Sequence, residues 1–360
     1  MIHGQVMPLR MTISPARSPM LTPHFAADLS SDVLGHPAFG RDLRVGTRAS
    51  PLALVQTRSF MARLGEVFPF LELFGTLREQ EISTRGDRDQ VRRLAEIGGK
   101  GLFSKEIHQA LRAGDIDFAV HSLKDLETFL PDDLVLGCTL TREDPRDALV
   151  LRDRDRVGIG SDPLDALPYG ALIGCASVRR QAQLLARRPD LRFCLIRGNV
   201  QTRLAKLEAG ACDATFLALA GLNRLGLGAR ADVIFEPEEM LPACGQGIVG
   251  ITLRRRDAHL LSLMPAIEDR SSRFAATAER ALLEGLDGSC RTPIGGFARI
   301  DNGQLVLHGL IASEDGAFVL RRSLAGAPAE GARMGGELAR MLKRDTPSAI
   351  FERLFGQPGW

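Results

Sequence analysis

From residue 43 onward, short apolar runs alternate with segments of helical periodicity, and this alternation limits the possible folds more than any other feature. Residues 43–46 read as a strand. Ser50 followed by Pro51 supplies an N-cap and a first-turn proline, so 51–65 reads as a helix. A strand is expected near 71–83, followed by the polar loop Thr84-Arg85-Gly86-Asp87. Gly98-Gly99-Lys100-Gly101 precedes a helix over 102–113, with Phe103, Ile107 and Leu111 on one face and Gly114 ending it. Residues 116–120 then read as a buried strand that delivers His121-Ser122-Leu123-Lys124-Asp125 at its carboxyl end.

The scheme repeats. The expected elements are a strand over 171–174, a helix capped by Ser177 that stops before Pro189, and a strand over 191–196 ending in Arg197-Gly198-Asn199. A helix over 200–209 and a strand over 214–218 follow. Leu111-x-Ala113-Gly114-x-x-Asp117 recurs as Leu207-x-Ala209-Gly210-x-x-Asp213, each leading into an apolar strand, which suggests two lobes of similar build. Residues 241–255 return to an extended pattern. Residues 270–360 read as a smaller α+β unit, with a helix over 273–285, strands near 297–324 and a final helix from about 331. The fold class is therefore α/β: two lobes with a central cleft plus a smaller C-terminal α+β domain. The expected boundaries are a disordered extension over 1–42, a first lobe over 43–145 and 242–266, a second over 146–241, and the C-terminal domain over 267–360.

Such lobes serve many chemistries, so composition decides which classes to discard. The 360 residues carry 46 basic and 44 acidic side chains, a formal charge of +2 with no long basic tract, which argues against a nucleic-acid partner. No run approaches the ~20 apolar residues of a membrane span. Six widely spread cysteines form no C-x-x-C pair, so a metal site is unsupported; with no secretory signal, a reduced cytoplasmic protein is expected. Only five basic residues are lysines, and Lys100, Lys105 and Lys124 fall close together, a pointer to a place that wants a compact ammonium group.

In open α/β sheets, ligands collect outside the carboxyl ends of strands. That rule selects Arg48 with Ser50, Lys124 with Asp125, Ser177 with Arg179 and Arg180, Arg197 with Arg203, and Arg224. Helix N-termini and guanidinium forks both favour anions, so a polyanionic ligand is expected. Asp125 reads either as a counter-ion of Lys124 and the arginines or as a group that stabilises a cation or handles a proton. His121 reads as a packed, hydrogen-bonded residue. Cys290, in the turn-rich run from Asp287 to Gly296, reads as an exposed loop thiol, reactive or inert, whereas Cys194 and Cys212 adjoin strands and read as buried. Gly245-Gln-Gly247-Ile-Val-Gly250 matches G-x-G-x-x-G but leads into an extended segment. Gly98-Gly99-Lys100-Gly101 lacks the Ser or Thr of a phosphate-binding loop, and neither run indicates a nucleotide.

Taken in order, the strings 44–54, 98–103, 120–125, 142–147, 197–203, 220–226, 242–247 and the Cys290 segment resemble the porphobilinogen deaminase (hydroxymethylbilane synthase) family. The resemblance implies two lobes like those of periplasmic binding proteins and a third domain carrying a cofactor. It implies a transferase that joins four porphobilinogen units head to tail, releasing ammonia from each, to give hydroxymethylbilane in tetrapyrrole and haem biosynthesis. The primer is a dipyrromethane cofactor, held by a thioether bond to Cys290. Asp125, Lys124 and Arg48 match catalytic positions. Ser50, Ser177, Arg179, Arg180 and Arg203, with Lys124 and Asp125, match cofactor contacts. Arg48, Gln56, Arg197 and Arg224 match substrate contacts, as do Lys100 and Phe103 on a loop that moves over the site. A cytoplasmic monomer is implied, with porphobilinogen as its partner and no metal, nucleic acid or membrane. The chain departs from the family's pattern at Leu126-Glu127, where Leu-Pro is common, and at Gly174-Cys175-Ala176-Ser177, where Gly-Thr-Ser-Ser is usual. An extra stretch lies around 152–163. The rival reading, a non-catalytic anion-binding protein with periplasmic-type lobes, leaves Cys290 and the third domain unexplained.

Overall fold

The computed structural model describes residues 42–69, 71, 76–88, 103–158, 160, 162–287 and 292–356. Lys100, Cys290 and all of the N-terminal extension except Asp42 lie outside the described residues.

Two five-stranded mixed sheets and one three-stranded antiparallel sheet form the framework. In chain order, the first sheet contains β1 (Leu43–Thr47), β2 (Leu77–Glu81), β3 (Phe118–Ser122), β4 (Leu134–Thr139) and β10 (Val249–Arg254). The second contains β5 (Asp147–Leu151), β6 (Leu172–Gly174), β7 (Arg192–Cys194), β8 (Ala214–Ala218) and β9 (Val233–Phe235). Their spatial orders, β2-β1-β3-β10-β4 and β7-β6-β8-β5-β9, are the same topology. Each has three parallel strands, then an antiparallel one, then an edge strand. The antiparallel strand β10 follows the second sheet in sequence, so the chain crosses between the lobes twice, before β5 and before β10.

The weak sequence echo has a physical basis. Gly114 and Gly210 both lie at φ +79°, a left-handed conformation that glycine adopts without strain. Asp117 and Asp213 follow, and their carboxylates accept the N–H of the first residue or two of the adjacent strand: Arg44 N at 2.9 Å and Leu172 N at 2.8 Å. Each Asp thereby fixes the register of the strand it precedes.

Helix α1 (Pro51–Val67) starts as the Ser50–Pro51 pair predicts, with Ser50 Oγ accepting the Ala53 N–H, but runs two residues longer. It buries Phe60 and Leu64, and Phe60 meets Phe118 of β3 edge-on at 5.4 Å. Helix α2 (Lys105–Ala113), α3 (Val178–Arg187), α4 (Val200–Glu208) and the short α5 (Leu219–Arg224) flank the sheets. After α6 (Ala258–Leu263), helices α7 (Arg270–Gly285) and α8 (Gly331–Asp345) cover β11 (Ile294–Asp301), β12 (Gln304–Ala312) and β13 (Val319–Gly326). There Leu282, Leu305, Leu307, Leu338 and Leu342 are buried together, each contributing about 1.5–3 kcal/mol of apolar burial. Helix α9 (Ser348–Phe355) completes this unit.

Several expectations are corrected. The strand expected near 71–83 is only β2, and the one expected over 116–120 begins at Phe118 and extends through His121 and Ser122. The helix expected over 273–285 begins at Arg270, capped by Asp269. Strands β4, β5 and β9 and helix α9 were not anticipated. Cys194 is half-buried rather than buried, whereas Cys212 is buried.

Candidate functional site

Strand β3 runs into a single turn of 3₁₀ helix at Leu123–Asp125, which presents Lys124 and Asp125 at the carboxyl end of the central strand of the first sheet. Asp125 Oδ2 lies 3.9 Å from Arg48 Nη1, and its side chain keeps 36% of its surface exposed. The Arg48 guanidinium stacks on the Phe103 ring, 4.1 Å from its centroid, a cation–π contact that also orients it. Ser50, Gln56, Phe103 and Ser122 line the same small pocket with Arg48 and Asp125. Gln56 is buried and donates to Ser122 Oγ at 2.9 Å.

Lys124 reaches the other way. Its ammonium donates to Gln246 Oε1 at 3.3 Å, and burial lowers its pKa to about 8 against the opposing pull of Asp125. Behind it lies a buried cluster at the start of β5. Asp147 Oδ1 accepts Arg180 Nη2 at 2.6 Å, and Arg179 Nη2 pairs with Oδ2 at 2.8 Å. Ser177 caps α3 by accepting the Arg180 N–H, which places both arginines in the first turn facing inward. The two arginines therefore bind a protein carboxylate, a pairing absent from the sequence reading of them as ligand contacts. Arg203 donates to the Gly198 carbonyl at 2.9 Å and forms no ion pair with a described carboxylate. Burial lowers its pKa, as does repulsion from Arg180, with Asp125 among the opposing charges. Arg197 is buried on the same side. Arg224 donates to the Gly247 carbonyl at 2.7 Å, tying α5 to the returning chain.

Lys124, Arg179, Arg180 and Arg203 thus share two carboxylates, Asp125 and Asp147, among the described residues. A basin with surplus cations, Arg179 and Arg180 buried and Lys124 and Arg203 half-buried, suits a ligand carrying several carboxylates. The chemistry of this donor set therefore fits a carboxylate-bearing dipyrromethane.

His121 is buried with Nε2 3.0 Å from Thr252 Oγ1, and burial pushes its pKa down to about 3, so it is a neutral packing residue. The Glu127 departure has a structural role. Its carboxylate accepts the Ser104 hydroxyl and lies 3.0 Å from His108 Nδ1, while Arg280 of α7 donates to the backbone carbonyls of Glu127 and Thr128. Sequence reasoning missed Asp147, Gln246 and Glu279, the last a buried carboxylate of α7 paired with Arg142 at 2.6 Å. Asp147 and Gln246 lay in strings already singled out, 142–147 and 242–247, but these end no parallel strand. The glycines of the second string have a steric purpose: a Cβ on Gly247 would collide with the Glu143 carbonyl.

Residues 43–262 match the family model described as "Porphobilinogen deaminase, dipyromethane cofactor binding domain", and 273–344 match its C-terminal domain. The porphobilinogen deaminase of Paracoccus denitrificans is 48% identical over 310 residues, 86% of this chain and 96% of the relative. Those of Nitrobacter hamburgensis and Synechococcus elongatus are 47% and 44% identical over 87% and 88% of this chain, and each match spans 96% of the relative. A periplasmic binding protein of Salmonella typhimurium overlaps 68% of this chain and 97% of its own at 14% identity and a TM-score of 0.36. That overlap is too slight to bear on the fold, which rests on the sheets themselves. With both family models matched and near-half identity along almost the whole length of its relatives, the chain belongs to the porphobilinogen deaminase family.

Proposed function

We propose that this chain joins four porphobilinogen units head to tail on a dipyrromethane bound through Cys290, with Asp125 stabilising the cation formed when each unit loses ammonia. The observation that carries this reading is Asp125 itself, a partly exposed carboxylate at the mouth of a basin rich in cations. Breaking the aminomethyl C–N bond of porphobilinogen leaves an electrophilic azafulvene cation. A fixed carboxylate beside it lowers the energy of that cation more than that of the uncharged pyrrole ring it forms from, which is what catalysis requires. Arg48, stacked on Phe103 and 3.9 Å from Asp125, brings a guanidinium to the substrate's acetate or propionate. Arg203 and Arg197 offer further carboxylate contacts from the second lobe. Arg179 and Arg180 act through Asp147, and Ser50 and Ser177 set the helix starts, with Gln56 behind them. Arg224 holds the returning chain, and Phe103 lines the substrate side; the family's pattern assigns Lys100 to substrate binding as well. When bound, the dipyrromethane supplies the electron-rich pyrrole position to which the first unit is joined. Cys290, Ser50, Ser177, Arg203 and Lys124 would hold it.

The division into 43–145 with 242–266, 146–241 and 267–360 is supported by the three sheets, and the enzyme acts as a cytoplasmic monomer. No described helix is long and apolar enough to cross a membrane. A purely anion-binding role is not favoured, because both enzyme-family models match.

Intact mass and Ehrlich's reagent, which colours free pyrrole positions, test the attachment. Denatured wild type should carry the added mass and stain, and folded Cys290→Ser should do neither. Equal staining of both proteins would place the cofactor elsewhere.

A further inference from the structure

Gln246 lies on the segment by which the chain returns from the second sheet to β10, and it is 1% exposed. Its Nε2 donates to the Pro145 carbonyl at 2.7 Å and to Asp147 Oδ1 at 2.8 Å. Oε1 therefore faces the Lys124 ammonium, 3.3 Å away. An ammonium offers only donors and a carboxylate only acceptors, so this is the one amide orientation that serves both ends. The backbone is clamped too. Arg142 Nε donates to the Gln246 carbonyl at 2.8 Å, and the Gly245 N–H donates to Glu279 Oε2 of α7 at 2.5 Å. Glu279 is itself buried and paired with Arg142 at 2.6 Å. A Cβ on Gly245 would press on Leu123 and the Lys124 backbone N at 3.0 Å, so the returning segment touches the turn that bears Lys124.

We infer that Gln246 is a positioning residue whose amide holds the Lys124 ammonium in the cleft and ties it to the Asp147–Arg179–Arg180 cluster of the second sheet. The inference rests on the proposed role of Lys124 and adds the device that sets its place and charge. Besides Gln246, the ammonium feels Asp125 on its own turn, Asp147 of β5, and Arg179 and Arg180 of α3. Burial is the largest influence and lowers its pKa to about 8; the two carboxylates oppose this and the two guanidiniums add to it. A carbonyl acceptor favours the charged amine. Removing it should lower the titration midpoint further, and placing a carboxylate there should raise it.

The test uses the full chain as Gln246→Met, which has similar length and no acceptor, and as Gln246→Glu. Reductive methylation with formaldehyde and cyanoborohydride, followed against pH by the mass of the Lys124 peptide, reports the ammonium's titration without relying on turnover. The other four lysines serve as internal references. The Lys124 midpoint should fall by about one pH unit in Gln246→Met, roughly a tenfold rise in uncharged amine near neutral pH, and should rise in Gln246→Glu. The alkaline limb of kcat should move the same way in each. If Gln246→Met does not fold, the upward shift in Gln246→Glu carries the test. Unchanged Lys124 midpoints in the folded variants would overturn the inference. Midpoints that shift while the kcat profile stays fixed would support the Gln246–Lys124 link and remove Lys124 from the reaction.

Discussion

Replacing Asp147 by asparagine keeps the side chain's shape and removes one charge from a fully buried carboxylate. Oδ1 accepts Arg180 Nη2 at 2.6 Å, Arg180 Nε at 3.1 Å and Gln246 Nε2 at 2.8 Å, and Arg179 Nη2 lies 2.8 Å from Oδ2. The two arginine side chains are 6% and 7% exposed, so water screens little of this charge. Removing one partner of a buried pair costs about 3–5 kcal/mol because the other charge is left uncompensated, and here two cations are left. Urea unfolding of Asp147→Asn at pH 7 should show a loss in that range. The pH dependence has a definite sign. Burial alone would raise the Asp147 pKa, but Arg179 and Arg180 more than offset it and hold it well below its ordinary 3.8. A carboxyl with a depressed folded pKa stabilises fully above its unfolded pKa and loses that contribution as pH falls below it. The gap between wild type and variant should therefore stay constant from pH 8 to about 5 and narrow below about 4. A loss under about 1 kcal/mol at pH 7, or a gap that widens on acidification, would refute the picture of a closed ionic cluster.

Two further outcomes follow from the same reasoning. Burial would raise the Glu127 pKa, yet His108 and Ser104 hold it at about 2. Glu127→Gln should therefore lose about 3 kcal/mol at pH 7 and converge on wild type as pH falls from about 4.5 towards 2; equal thermal stability at pH 7 would contradict this. Arg203→Leu removes a cation from a repulsive group, so it should fold as stably as wild type while its KM rises roughly 10-fold or more; an unchanged KM would exclude Arg203 from carboxylate binding.

Local chemistry was legible in the sequence. Ser50 and Ser177 cap the helices they were expected to cap, strand 214–218 has the expected bounds, and Arg48, Phe103 and Asp125 meet around one pocket. Long-range pairing was not legible. Nothing local to 249–254 says that it joins β3 and β4 after an excursion through the second lobe. The pairing of Arg179 and Arg180 with Asp147 was not legible because Asp147 lies about thirty residues earlier at the head of a strand with no hairpin or helix signal of its own. Glu127 read only as a departure from a pattern, since its partners Ser104, His108 and Arg280 are distant in sequence.

In the proposed mechanism Asp125 stabilises a substrate cation and does more than balance Arg48 and Lys124. Single-turnover ammonia release from porphobilinogen by the Asp125→Asn protein, with its fold verified by circular dichroism, separates the two. Loss of one preorganised electrostatic group at a transition state typically costs about 10²–10³ in rate, so the rate should collapse while substrate affinity holds or improves. A rate within about threefold of wild type, well under the ~1.4 kcal/mol of a tenfold change, would contradict the claim and leave Asp125 as a counter-ion.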